Sequence, residues 1–399
     1  NLKIIVCDKR PETTRNHKLA IGSDSINAMS KLLMEGIASS ENHVNKEAAK
    51  KLLTFFKNWS KKSVPTSTIE KDLANFAVKT LNVSVYRDKF FNIKSDSQAT
   101  GKGLSFDCFL EKIGGAKVII GADGSKSVVR NVINANKTDE FNLGYLLELK
   151  YQPIKGFKPR SYLNGSKQFI KASGFDFETA GRSKDENPGI VTLHKFISYH
   201  THTSLIQGDK GKSENPWTLK ELKNHIQDNE KIKRVIDHFE CYIGKANVSI
   251  IDVSKIVTFP MAIYRSSSVA SWYKNRIVLL VGDASSGLVL ERGVNKAFLE
   301  SALCAKAVLS FFSRVDSAEQ TPETTLSTVN VSTLDLSADD AQKPPLPTEF
   351  IQYQSQSQAL FKREARWARF KHFLLNVPEY TLKLALLPWK PLIASVKFL

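Results

Sequence analysis

With 399 residues, the chain is long enough for two or three domains. Its 42% hydrophobic and 10% aromatic content excludes a disordered or fibrous protein. A formal net charge of +17 favours anionic partners such as dinucleotides or an acidic membrane surface. Nucleic acid is not expected, because the lysines are scattered and no nucleic-acid module signature occurs. Cys7, Cys108, Cys241 and Cys304 form neither CxxC nor a zinc spacing, which fits a reducing, cytoplasmic compartment. No segment reads as a signal peptide, and no apolar run is long enough to span a bilayer.

Leu2–Cys7 alternates into an apolar strand ending at Asp8. In a dinucleotide fold, an acid at the end of the second strand holds a ribose hydroxyl about 20 residues after a glycine-rich phosphate loop. Counting back from Asp8 puts that loop before Asn1, and no GxGxxG occurs anywhere in the chain. Either an upstream segment is missing from this sequence, which is the expectation, or the first strand and its loop are lacking. The plainer reading of Asp8 is a surface acid at a strand end. Arg15 suits a diphosphate, since its planar fork matches phosphate oxygens, and equally a solvated loop. Glu41–Trp59 is helical by period, with Ala48, Leu52, Phe55, Phe56 and Trp59 on one side, and Thr68–Leu81 is a second amphipathic helix. The strand Val83–Tyr86 comes next. Phe90–Leu110 reads as a hairpin around Ser97–Gly103, with Phe106, Cys108 and Leu110 alternating.

The stretch VIIGADGSKSVVR, Val118–Arg130, is the one the rest of the chain is organised around. Val118, Ile119 and Ile120 form a buried strand that stops at Gly121; the turn Ala122-Asp123-Gly124 leads to a helix that Ser125 or Ser127 caps. Gly124, having no Cβ, admits a close-lying ligand. The helix N-terminus would offer N–H groups to a phosphate or carboxylate. Asp123, at the C-terminal end of the strand, suits a ribose or ribityl hydroxyl.

Gly121–Arg130 resembles the GADGxxSxVR motif of the class A FAD-dependent monooxygenases, the flavin aromatic hydroxylases. Arg276–Ala284, RIVLLVGDA, is similar to that family's second FAD motif. The resemblance covers roughly residues 1 to 310. It implies an α/β fold: an FAD-binding Rossmann-like domain of the glutathione-reductase type, an inserted mostly β substrate domain, and C-terminal helices. It also implies FAD as cofactor, NAD(P)H as reductant, and insertion of one oxygen atom from O2 into a small organic substrate. Asp8, Arg15, Asp123, Gly124, Gly282, Asp283, Gly293 and Asn295 then become the cofactor-binding set, with Asp283 on the ribityl chain. Catalytic side chains stay unassigned, because the flavin performs the chemistry.

The segment Ser285–Ala297 leads into a helix expected over Lys296–Phe311. It departs from the family pattern. Ser285, Ser286 and Leu288 stand where Ala-His and prolines are common, and Glu291 and Arg292 replace small residues. Other readings of the chain are a flavin-dependent reductase or dehydrogenase acting on a lipid at a membrane, and a cofactor-free binding protein.

The expected domains are 1–131 (first part of the FAD domain), 132–263 (substrate domain), 264–312 (return to the FAD domain), 313–347 (flexible linker) and 348–399 (C-terminal helical region). In the substrate domain, strand-like pieces include Tyr145–Tyr151, Gln168–Lys171 and Ile190–His200, with a helix over Leu219–Phe239. His200 and His202 form an HxH without a third ligand in view, so no metal is expected. Phe350–Phe370 returns to helix with a basic face, and the last twenty residues are apolar but broken by Lys383, Lys390, Pro388 and Pro391. That pattern leaves open a peripheral membrane contact or a hairpin covering the FAD domain.

Overall fold

A computed structural model describes residues 3–8, 10, 18–19, 21–39, 43–60, 64–87, 106–112, 116–151, 176–180, 191–197, 217–218, 221, 224, 255–288, 291–319 and 344–376. The chain divides into two units: Asn1–Phe141 with Ile263–Arg366, and Asn142–Ala262 with Trp367–Leu399.

The first unit begins with β1 (Ile5–Asp8), β2 (Lys18–Leu19), α1 (Ser23–Ser39), α2 (His43–Trp59), β3 (Val64–Pro65), α3 (Thr66–Lys79) and β4 (Ser84–Arg87). β1 pairs in parallel with β4, and β2 pairs antiparallel with β3. The periodic apolar residues of α2 and α3 do what their spacing predicts. Phe56, Trp59, Ile69, Ile21, Ile26 and Val64 form one buried cluster. Each large apolar side chain so buried contributes about 1.5–3 kcal/mol.

α4 (Phe106–Lys112) corrects the expected hairpin. Phe106, Phe109 and Leu110 are the buried residues, a spacing of three and four that suits one face of a helix, while Cys108 is exposed. Residues 90–105, the rest of that expected hairpin, lie outside the described residues.

β5 (Val118–Gly121) and α5 (Val128–Val132) come next. The second half of the first unit brings β10 (Ala270–Tyr273), β11 (Arg276–Leu280), a single 3-10 turn at Gly282–Ala284, β12 (Ser286–Gly287), α6 (Glu291–Glu319) and α7 (Thr348–Asn376), the last crossing into the second unit. β11 lies between β10, antiparallel, and β5, parallel. β10 is an element that the sequence pattern does not announce. It is joined to β11 across Lys274, whose φ of 51° sits in the left-handed region. Ile277–Leu280 is buried along its length, as a parallel strand covered on both faces should be. Its cluster includes Cys304 and Ala307 of α6 and Phe350 and Tyr353 of α7.

α6 is longer than expected at both ends. It starts at Glu291, so Gly293 and Asn295 belong to its first turns rather than to a loop. It runs to Glu319 because Phe311 packs on Phe350, and Arg314 binds Glu349 at 2.8 Å. The expected linker at 313 therefore begins as helix, and its residues 320–343 lie outside the described residues.

In the second unit, residues 145–151 of β6 (Lys137–Tyr151) pair antiparallel with β8 (Val191–Ile197), which pairs antiparallel with β7 (Asp176–Ala180). β6 and β9 (Lys255–Ser266) each run from one unit into the other. The pieces Gln168–Lys171, His200, His202, most of Leu219–Phe239 and the last twenty residues lie outside the described residues. Among the described residues no helix is long and apolar enough to cross a membrane.

Candidate functional site

β5 and β11 are parallel and in register, with Ile277 opposite Val118 and Leu280 opposite Gly121. Both strands therefore stop at the same level, and the turns after them leave the same edge of the sheet. That edge, outside the carboxyl ends of parallel strands, is where open α/β sheets bind ligands. Gly124 has φ of 86° and open space beside it; Gly282 has φ of 62°. Both are left-handed conformations in which a Cβ is strained.

Arg130 fastens the two turns to each other. It is 3% exposed, and its guanidinium donates to the Ser125 carbonyl at 2.7 Å and the Ala284 carbonyl at 3.1 Å. Tyr264 of β9 donates its hydroxyl to the Asp283 carbonyl at 2.7 Å, and Ser266 donates to that of Ala284 at 3.0 Å. Lys137 Nζ stands 4.2 Å from the centre of the Tyr264 ring. Burial, and next the Asp283 charge, push the Tyr264 phenol up to about 12.

Asp123 is exposed, and its carboxylate serves its own helix. It accepts the N–H of Val128 at 2.6 Å and of Val129 at 3.2 Å, together with the Ser127 hydroxyl. Ser127, not Ser125, is the N-cap, accepting the Arg130 N–H at 2.9 Å. The start of α5 therefore does not offer the free N–H groups expected of it. Three of them are already taken, as capping requires. Asp123 still has lone pairs beyond these three bonds.

Asp283 is exposed at the second turn. A Cβ built on Gly293 would lie 3.7 Å from Asp283 Oδ1 and 2.9 Å from the Leu288 carbonyl, so α6 passes close beneath this turn. Asn295 Oδ1 accepts the Gly22 N–H at 2.6 Å, with the Ser25 hydroxyl at 3.0 Å, and so latches α6 to the start of α1. Beneath the turn, Lys296 and Glu300 form an ion pair of 2.7 Å at 1% and 0% exposure.

Asp8 is placed elsewhere, in the β1–β4 sheet. Its carboxylate takes Arg10 at 3.2 Å and Arg87 at 3.8 Å, while Arg10 also reaches Glu70 at 3.1 Å. Burial raises the Asp8 pKa, but the Arg10 hydrogen bonds and the Arg10 and Arg87 charges outweigh it and hold the group below the usual carboxylate range. Arg15 lies outside the described residues.

Arg130, Tyr264, Lys296 and Glu300 belong to the site and were not among the residues expected from the sequence. Arg130 closes the GADG motif, which was a signal for it. Tyr264 gave none.

The arrangement fits a nucleotide-type cofactor. Two turns with exposed carboxylates lie side by side, Gly124 leaves its backbone open, and the Ser286 hydroxyl, 3% exposed, has no hydrogen-bond partner among the described residues. A buried hydroxyl in that state is costly unless a ligand completes it.

No family model matches the chain, and no curated protein matches it. Solved structures do. The chain is similar to BexE, studied for oxidation during BE-7585A biosynthesis, at 14% identity and TM-score 0.50, with 94% of this chain and 64% of that chain covered. The Diels-Alderase PyrE3 of the pyrroindomycin pathway matches at 12% identity and TM-score 0.51, covering 100% of this chain and 73% of PyrE3. AlpK matches at 13% identity and TM-score 0.51, covering 99% and 68%. The chain thus shares the mixed α/β fold of these proteins and spans about two-thirds of their length.

Proposed function

We propose that the chain is the core of an FAD-dependent oxidoreductase of the monooxygenase kind. The observation that carries this is the stapling of the two glycine turns by Arg130, which holds Asp123 and Asp283 beyond the ends of the parallel pair β5 and β11. FAD, when bound, supplies redox chemistry and oxygen activation. The protein supplies the rest. Asp283 accepts hydroxyl hydrogens of the ribityl chain, Gly124 and Gly282 let backbone lie against the cofactor, and Gly293 and Asn295 shape the start of α6 beside it. Asp123 contributes its remaining lone pairs, and Asp8 and Arg15 serve the nucleotide end. NAD(P)H is the reductant, and a small organic substrate enters the region 132–263. In this reading 1–131 and 264–312 form the cofactor domain.

A second reading keeps the fold and drops oxygen insertion. PyrE3 is named as a Diels-Alderase, so this fold is not tied to one chemistry. Two measurements separate the readings. Titration of the full chain with FAD, followed by flavin absorbance and fluorescence, should reach stoichiometric binding. Binding should weaken in Asp283→Ala. NADH- or NADPH-dependent oxygen uptake should then rise when an organic substrate is added. Binding without oxygen uptake favours the second reading; no binding by the wild-type chain overturns the first.

A further inference from the structure

Glu300 sits inside α6 at 0% exposure, and groups from three parts of the chain converge on its carboxylate. Gly282 donates its N–H at 2.7 Å, and the Ser285 hydroxyl lies 2.6 Å away. Lys296 Nζ, one helical turn earlier, is at 2.7 Å, and the Ser357 hydroxyl of α7 completes the set. Tyr353, also on α7, donates its phenol hydroxyl to the Leu280 carbonyl, two residues before the turn. Lys296 additionally donates to the Ser285 hydroxyl at 2.9 Å.

A buried carboxylate is unfavourable unless it is neutralised and hydrogen-bonded, and apolar residues of similar volume often do as well for stability alone. What the carboxylate adds is a bond to each end of the turn 282–285. One of those ends is Gly282, held at a φ of 62°, and the residue between it and Ala284 is Asp283.

We propose that Glu300 is a positioning residue for the cofactor turn. Lys296 is its counter-cation, and Ser357 and Tyr353 anchor it to α7. Together they hold turn 282–285 in the one conformation that presents Asp283 to the cofactor, which makes α7 a working part of the site. This rests on the FAD reading of the site.

The test uses the full chain with Glu300→Gln, which keeps the shape and removes the charge. Hydrogen exchange without FAD is read on the segment 281–288 and on α2 as a control, and FAD affinity is titrated on the same samples. The expected result is exchange about tenfold or more faster at 281–288, unchanged exchange at α2, and FAD affinity weakened by a similar factor, the size that loss of a charge-assisted hydrogen bond produces. If Glu300→Gln fails to fold, Ser357→Ala leaves the ion pair intact, and the same two readouts should move in the same direction. Unchanged exchange at 281–288 overturns the clamp. Faster exchange with unchanged FAD affinity overturns its role in positioning. A wild-type chain that binds no FAD overturns the cofactor reading and this proposal together, whereas wild-type binding matched by both variants overturns this proposal alone.

Discussion

Gly287→Ala should loosen the candidate site, because no room exists for the methyl group. A Cβ built at Gly287 would lie 2.7 Å from Tyr264 Cζ and 2.8 Å from Cδ1. Ordinary carbon contacts are about 3.5–4.0 Å, so the ring must retreat by about 1 Å. Tyr264 is 5% exposed and pressed by Lys137, so the retreat is resisted. Its hydroxyl donates to the Asp283 carbonyl at 2.7 Å, and a shift of that size breaks the bond. Overpacking costs about 1–3 kcal/mol and the lost hydrogen bond about 1 kcal/mol, together about 2–4 kcal/mol. For a unit of this size that lowers the melting temperature by about 5–10 °C. Thermal unfolding should be compared across Gly287→Ala, Tyr264→Ala and the double variant. The double variant should melt with Tyr264→Ala, since the clash disappears with the ring. A Gly287→Ala protein that melts like wild type, or a double variant whose loss is the sum of the two, would refute the argument.

Lys296→Met should destabilise the first unit by about 3 kcal/mol, the lower end for a broken buried pair, because Glu300 keeps three other donors. Adding Glu300→Gln should recover part of that loss; native-state exchange at β11 reads both. Tyr264 links stability to alkaline pH. Its folded pKa of about 12 exceeds the ordinary phenol value of 10.0, so its contribution is fully present below pH 10 and lost as pH rises through 12. Denaturation between about pH 9 and 12 should show that extra slope in wild type and not in Tyr264→Phe. Burial and then the Glu300 charge push the Cys304 thiol up to about 12, so alkylation at about pH 8 should spare it in the native protein and reach it only on unfolding.

The two strands at the site could be read from the sequence because two unbroken apolar runs end in glycine-containing turns; their parallel pairing came only with the structure. Helices α2 and α3 were legible for a similar reason, since many apolar residues repeat at one period. α4 was not. Over seven residues, Phe106, Cys108 and Leu110 satisfy a period of two as well as Phe106, Phe109 and Leu110 satisfy a helical one. Lys296 and Glu300 are separated by four positions, the spacing of an ordinary surface ion pair on a helix. The turn 282–285 on one side and Ser357 of α7, far along the chain, on the other enclose that pair. Asp123 shows a different limit. A short acid beside a helix start can hold a ligand or serve the helix, and here its carboxylate accepts two N–H groups of α5 behind the Ser127 cap.

The pairing of Val118 with Ile277 also governs how the protein is made. The intervening residues, which include the whole of the second unit's first segment, must leave the ribosome before β5 meets β11. At typical synthesis rates that interval is about 8–30 s. Glu300 waits longer, since its last partner is Ser357. The candidate binding edge is therefore assembled late in synthesis, and until then β5 carries Val118 and Ile120 without its partner strand β11. A nascent chain in that state presents the kind of strand that chaperones shield and that otherwise joins its neighbours.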